Sequence, residues 1–407
     1  MRPTKSFVSW PAVLRYTMCL GLLGLLATFA VAEENHELPV KGRVYLMENA
    51  ASGNRVIVLE RALDGQLKLL QEVETGGLGS GPGELPPPFP PGLPGPNPLD
   101  SQDALIITNN GRFLIAANAG SNDVSVLAIT REGLELVDRE PSGGIFPVSI
   151  AHHHDTIYVI NNGGRNFQTI VGGTPTLKGF HLDEDGKLHE ISGSTRVIGP
   201  DMGHPGDAIF SPNGKVLIVS EQSTNTIELF HVGRDGSVYD QTSVHASTDT
   251  PFGMAFGHDN VLAVTAVNGL PVGVEDGATI SSYRLTERGT LEEISAAVPT
   301  KQSAACWVRF TPDGNFAYIA NPGSGSVTSF QVSPRGELTL LAPVAADVGG
   351  HFSGPLDLDI TANGKYLYVI GSFIGTVQGY RIEHDGSLTH VASFGGLPFT
   401  IQGLVVR

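Results

Sequence analysis

The chain has 407 residues, with 25 Lys and Arg against 41 Asp and Glu, and a formal net charge of −16. So acidic a chain, with no grouped Lys or Arg, cannot neutralise a phosphate backbone, which excludes nucleic-acid binding. Its 41% hydrophobic content excludes wholesale disorder, and 51 glycines with only 16% charged residues favour short strands and turns over helices.

The N-terminus reads as an export signal over residues 1–32. Arg2, Lys5 and Arg15 form a basic region, Met18 to Phe29 an apolar core, and Ala30-Val31-Ala32 a small-x-small cleavage site. The apolar run is too short to span a bilayer, which takes about 20 residues. Its loss leaves 375 residues, 33–407, and moves the net charge from −16 to −19. Cys306 is then the lone cysteine and Trp307 the lone tryptophan, so no intrachain disulfide forms and the core must hold the fold.

From residue 43 onward a unit of four short strands repeats. Its first hairpin is clearest in GDAIFSPNGKVLIVSE (206–221), WVRFTPDGNFAYIAN (307–321) and LDLDITANGKYLYVIG (356–371). Looser copies lie at 104–118, 148–161 and 252–266. A second turn recurs seven times, at Gly65, Gly133, Gly186, Gly236, Gly289, Gly336 and Gly386, where glycine supplies the positive φ of a tight hairpin. The first turn occurs six times, because the earliest unit starts at its second strand, RVYLMEN (43–49); the missing strand is the last segment, LPFTIQGLVVR (397–407). The expectation is an all-β fold: a seven-bladed β-propeller of four-stranded blades, closed by a C-terminal strand that joins the N-terminal blade. The domain covers 33–407. Residues 79–98, with 9 of the 27 prolines, cannot pair in a sheet and read as an extended, polyproline-like surface excursion over the propeller face.

Repeat alignment lists the residues at the propeller mouth. Second strands end at Asn49, Asn118, Asn161, Glu221, Ala266, Asn321 and Gly371, and first strands start near Thr400, Ala104, Ser149, Asp207, Gly253, Trp307 and Asp357. Neither ring contains Lys or Arg. Crowded carboxylates raise one another's pKa or recruit a cation, so Glu221, Asp207 and Asp357 suggest a general base or a hard-metal site, and a divalent metal is a possible cofactor. His204 and His351 lie in matching loops and are candidate acid/base groups at neutral pH. Arg165, in a long excursion of the third unit, is the candidate for anion recognition. The run His152-His153-His154-Asp155 falls on the opposite face in a tight turn, where neighbours point different ways, and Cys306 reads as a small buried hydrophobe. Motifs for serine hydrolases, zinc proteases and phosphate loops are absent.

The units PGDAIFSPNGKVLIVSE, ACWVRFTPDGNFAYIANPGSGSVTSFQVSPRGELTLL and PLDLDITANGKYLYVIGSFIGTVQGYRIEHDGSLT resemble the seven-bladed lactonase family, which includes 6-phosphogluconolactonase and the carboxy-cis,cis-muconate cyclases. Segments such as TGGLGSGPG (75–83), NAGSNDVSV (118–126) and QSAACWV (302–308) are similar to a secreted bacterial branch labelled lactonase or 3-carboxymuconate cyclase. The resemblance implies a His in one inner strand, an Arg-His pair opening the next, and a Glu ending that blade's second strand. Glu221 matches the Glu, whereas Ser149 and Gly206-Asp207 stand at the other positions. An acidic mouth without these cations disfavours phosphorylated or polycarboxylate substrates. Two expectations follow. One is a secreted lactonase-like hydrolase (a carboxylic ester hydrolase, or a muconate-cyclase-like enzyme) acting on a neutral or weakly charged lactone or sugar derivative, with Glu221 as base and His204 or Asp207 assisting. Asn49, Asn118, Ser149, Asn161, Arg165, Asn321, His351, Asp357 and Trp307 would line its ligand site. The other is a propeller that binds a ligand or partner, with or without a metal, and catalyses nothing. In either case the expected partner is a small molecule, with no nucleic acid, no membrane after signal removal, and a monomeric, secreted (periplasmic or extracellular) state.

Overall fold

The computed structural model describes residues 40–84, 94–96, 99–164, 173–200, 203–269 and 275–407. The predicted signal segment, Arg165 and most of the Pro-rich insertion lie outside the described residues. Seven of the antiparallel sheets are the blades, and their inner strands line a central channel. From the innermost strand outward, blade 4 runs Pro205–Phe210, Val216–Glu221, Thr226–Val232 and Val238–His245. Blades 2, 3, 5, 6 and 7 repeat this order, with inner strands Leu105–Ile107, Pro147–His153, Pro251–Phe256, Trp307–Phe310 and Leu358–Ile360. Blade 1 is the closure. Its inner strand is Leu404–Val406, paired with Val40–Met47 through Val44↔Val406 and Leu46↔Leu404, as the missing first turn predicts.

The second strands explain their own composition. In Phe113–Asn118 and Val216–Glu221 every residue is buried, because both faces of a middle strand pack on neighbouring blades. Outer strands alternate or are polar: Val238–His245 is exposed over most of its length. Six of the seven second-turn glycines have φ between 75° and 95°, and the seventh, Gly133, has 153°. These glycines also set the spacing between blades. Tyr158, Tyr318 and Tyr368, buried in the second strands of blades 3, 6 and 7, donate to the carbonyls of Gly236, Gly386 and Gly65 in the next blade, each at 2.8 Å. The last of these spans the closure. Tyr368→Phe should therefore lower stability by about 1 kcal/mol, read as a shift in the urea midpoint at unchanged m; no shift would show that Gly65 is equally well solvated.

The insertion departs from the expectation that it pairs in no sheet: Pro82–Glu84 and Pro94–Pro96 form a two-stranded antiparallel ribbon of three residues on each side, short enough to escape the prolines' missing N–H donors. The chain then re-enters the channel at Leu99.

Candidate functional site

Residues 99–103 cross the channel on the face that carries the strand-four to strand-one loops. Leu99 N–H donates to Gln402 Oε1 (2.7 Å), Ser101 Oγ to the Val148 carbonyl (2.6 Å), and Gln102 N–H to the Gly206 carbonyl (2.9 Å). The Gln102 carboxamide donates to the Met254 carbonyl (2.6 Å) and to Asp207 Oδ2 (3.1 Å), and accepts from Val308 N–H (2.9 Å). Trp307 Nε1 donates to the Ser101 carbonyl at 3.1 Å, with its ring edge-on to Phe252 at 5.1 Å. Asp100 and Asp103 reach these positions with φ of 56° and 60°, a left-handed geometry that Asp tolerates better than most residues. The chain thus supplies its own hub, joined to five blades.

The expected carboxylates hold this frame together. Asp207 is fully buried. Its Oδ1 accepts from Ala208 N–H (2.7 Å) and Ser149 Oγ (3.2 Å), and its Oδ2 from Met254 N–H (2.8 Å) in the next blade. Asp357 does the same between Leu358 N–H and Leu404 N–H (2.8 Å each), and Asp359 between Ile360 and Val406 (2.8 Å each). Burial pushes all three carboxyls up: Asp357 to about 8, Asp359 above its usual range, and Asp207 well above it, with Asp103 adding to the shift at Asp207.

Arg309 adds a cation to the channel outside the two aligned rings, which hold no Lys or Arg. It stands two residues beyond Trp307 on the same strand face, one layer below the ring aligned from the sequence. It pairs with Asp103, and its Nε lies 3.5 Å from Asp359 Oδ1. Burial works to lower its pKa, but Asp103, Asp359, Asp357 and Asp207 together raise it above the ordinary value.

The sign of the Asp357 shift gives a pH prediction. A carboxyl whose folded pKa lies above its unfolded value of about 3.9 holds its proton more tightly when folded, so stability falls as pH rises through that window and levels off above pH 8. Between pH 8 and roughly 6.5 the melting temperature should climb as pH is lowered. Below that His152, whose pKa burial pushes down to about 4, opposes the trend. A flat profile from pH 8 to 6.5 would show an ionised native Asp357.

Glu221, His204 and Asp207 do not assemble as a side-chain triad. The buried Glu221 carboxylate accepts from His204 N–H (2.5 Å), Ser223 N–H (3.2 Å), Thr224 N–H (2.7 Å) and the Thr224 hydroxyl. It is the bracket of its own turn. Glu221→Gln places an amide donor against backbone donors and should cost about 1–3 kcal/mol of stability, measured by denaturation; unchanged stability would return Glu221 to the candidate bases. His204, 2% exposed, instead places Nε2 at 2.8 Å from Asp100 Oδ2.

The amide ring has a similar internal role. Asn118 accepts from Asn54 (2.9 Å) and Thr75 (2.8 Å) and donates to Asp123 (2.7 Å) and Ser125 (2.8 Å). Asn49 bonds Ser80, Asn161 the Ser142 carbonyl, and Asn321 Thr328; all four asparagines are fully buried. His351 is exposed, with Nδ1 2.9 Å from the Gly323 carbonyl. Cys306 is buried, and burial and Asp100 raise its thiol pKa, against a nucleophilic role. Among the described residues no three His, Cys, Asp or Glu side chains converge as a metal site, and no helix is long and apolar enough to cross a membrane.

The family model described as lactonase, 7-bladed beta-propeller, matches residues 39–171 and 272–398. The chain belongs to this family. Among relatives of the lactonase propeller, the 6-phosphogluconolactonase of Yersinia enterocolitica is 26% identical over 205 residues, covering 46% of this chain and 56% of that protein. The chain thus matches about half the length of this relative. The periplasmic gluconolactonase of Pseudomonas aeruginosa superposes with a TM-score of 0.67 at 13% identity, over 90% of this chain and 99% of that one. A protein from Lactobacillus plantarum gives the same TM-score at 15% identity, over 90% and 100%. At such identities the two structures attest the fold alone.

Proposed function

We propose that the protein is a secreted, monomeric lactonase-like hydrolase acting on a neutral or weakly charged lactone or sugar derivative at the loop face. The observation that carries this reading is the buried His204–Asp100 pair, set in a lactonase-family propeller beside the hub. Asp100 lies against the imidazole, with Oδ2 2.8 Å from Nε2, and His204 serves as the base. His204 takes a proton from water as the water oxygen bonds to the lactone carbonyl carbon. It returns that proton to the ring oxygen as the acyl C–O bond breaks, giving the hydroxy acid. Asp207 and Gln102 keep the channel beneath rigid, and Glu221 positions His204 through its backbone.

The substrate class follows from charge. Arg309 is already held by Asp103 and Asp359, and the carboxylate beside His204 is Asp100. A phosphate would meet carboxylates rather than guanidinium groups.

A pH-indicator assay tests this with glucono-δ-lactone and its 6-phosphate, with and without chelator. Faster hydrolysis of the unphosphorylated lactone, insensitive to chelator, is expected. No turnover of any lactone in a broad panel, with ligand-induced thermal stabilisation retained, would replace hydrolysis by simple binding.

A further inference from the structure

Below the hub the channel is open. A cavity of about 330 Å³ is lined by Asp103, Ile106, His152, Ile209, Asp359 and Val405. An adjoining recess of about 480 Å³ shares Asp103, His152 and Ile209, adds Arg309, and reaches the strand-one to strand-two turns. These volumes fall in the range of small-ligand pockets. The opening lies on the face opposite the loops.

The polar groups here are unevenly matched. Arg309 donates to Asp103 and to the Val308 carbonyl and lies against Asp359, so its guanidinium is occupied. Asp359 Oδ2 accepts from Val406 N–H. Asp103 Oδ1 takes Arg309, while Oδ2 takes no donor among the described residues. His152 has a buried Nε2 without a partner and is neutral at pH 7, its pKa being pushed down by burial. Two carboxyls therefore share one guanidinium, acceptors outnumber donors, and Ile106, Ile209 and Val405 form an apolar wall. Asp103 is partly exposed, so its Oδ2 is open to a donor that enters the channel, and the unpartnered His152 Nε2 lines the same cavity. A guest that matches Asp103 and the apolar wall donates hydrogen bonds, carries positive charge, and offers a short apolar body.

We propose that the lower channel binds a small primary ammonium ion with a short hydrocarbon tail, its ammonium group donating to Asp103 and its tail lying against Ile209. An anion of the same shape meets Asp103 and Asp359, and a neutral alcohol leaves the charge unbalanced.

Titration calorimetry of the mature chain with n-butylammonium chloride at pH 7, using sodium butyrate and 1-butanol as isosteric controls, tests the site. Butylammonium should bind with a Kd of about 1 mM or tighter, within the ligand efficiency of so small a molecule, and the controls at least tenfold more weakly. Asp103→Asn should weaken butylammonium by about tenfold or more. Should that variant fail to fold by circular dichroism, Ile209→Trp fills the cavity from the apolar side and should abolish binding while Asp103 stays in place. Equal binding of all three compounds, no heat from butylammonium at millimolar concentrations, or unaltered binding in a folded Ile209→Trp variant would overturn the proposal.

Discussion

Replacing Arg309 by methionine is expected to destabilise the propeller by about 3–5 kcal/mol, the usual cost of removing one partner from a buried ion network. Methionine fits the volume and keeps the apolar contacts of the arginine stem, so the loss is electrostatic. Asp103 and Asp359 lose their counter-charge, and Asp357 and Asp207, already raised by burial, lose a favourable field. The variant should recover markedly at pH 5, where the carboxyls that remain take up protons. Adding Asp103→Asn and Asp359→Asn should restore part of the loss at pH 7, a non-additivity that a double-mutant cycle measures directly. A loss below about 1 kcal/mol at pH 7 would place the network among solvated surface pairs instead.

The second large effect concerns turnover. His204→Asn should lower kcat by about 10²–10⁴-fold, the range supplied by a positioned proton acceptor. Asp100→Asn should lower kcat less than His204→Asn does, because Asp100 acts through the imidazole. Wild-type kcat in the folded fraction of Asp100→Asn, with a lowered melting temperature, would make Asp100 purely structural. Retention of wild-type kcat in a folded His204→Asn variant would remove His204 from the proposed chemistry.

Much of this fold is legible in the sequence because blades repeat what they need. Asn-Gly and Asp-Gly turns, fully apolar second strands and a C-terminal strand without a partner of its own specify seven blades and their closure. The inner layers are harder to read. Arg309 and Asp359 follow Trp307 and Asp357 by two residues, so the period-two rule places them in the channel, one layer deeper than the ring of strand starts. Asp100 and Gln102 carry no repeat signal, since they precede the inner strand of blade 2 in a segment that no other blade possesses. The carboxylate of Glu221 is visible in the sequence as a type but not as a role, because its donors are the Thr224 hydroxyl and backbone N–H groups of its own turn and of residue 204, whose convergence a sequence does not display.

The hub of residues 99–103 also bears on how the chain folds. In a linear array of repeats each unit needs only its neighbour, so structure can grow from one end. Here Gln102 finds acceptors and donors in blades 4, 5 and 6, Ser101 in blades 3 and 6, and Leu99 beside the strand that closes blade 1. A segment from the first third of the chain therefore stays unsatisfied until nearly the whole ring has been made. Partial rings should be poorly stable and refolding slow, with one cooperative transition in which no blade melts alone.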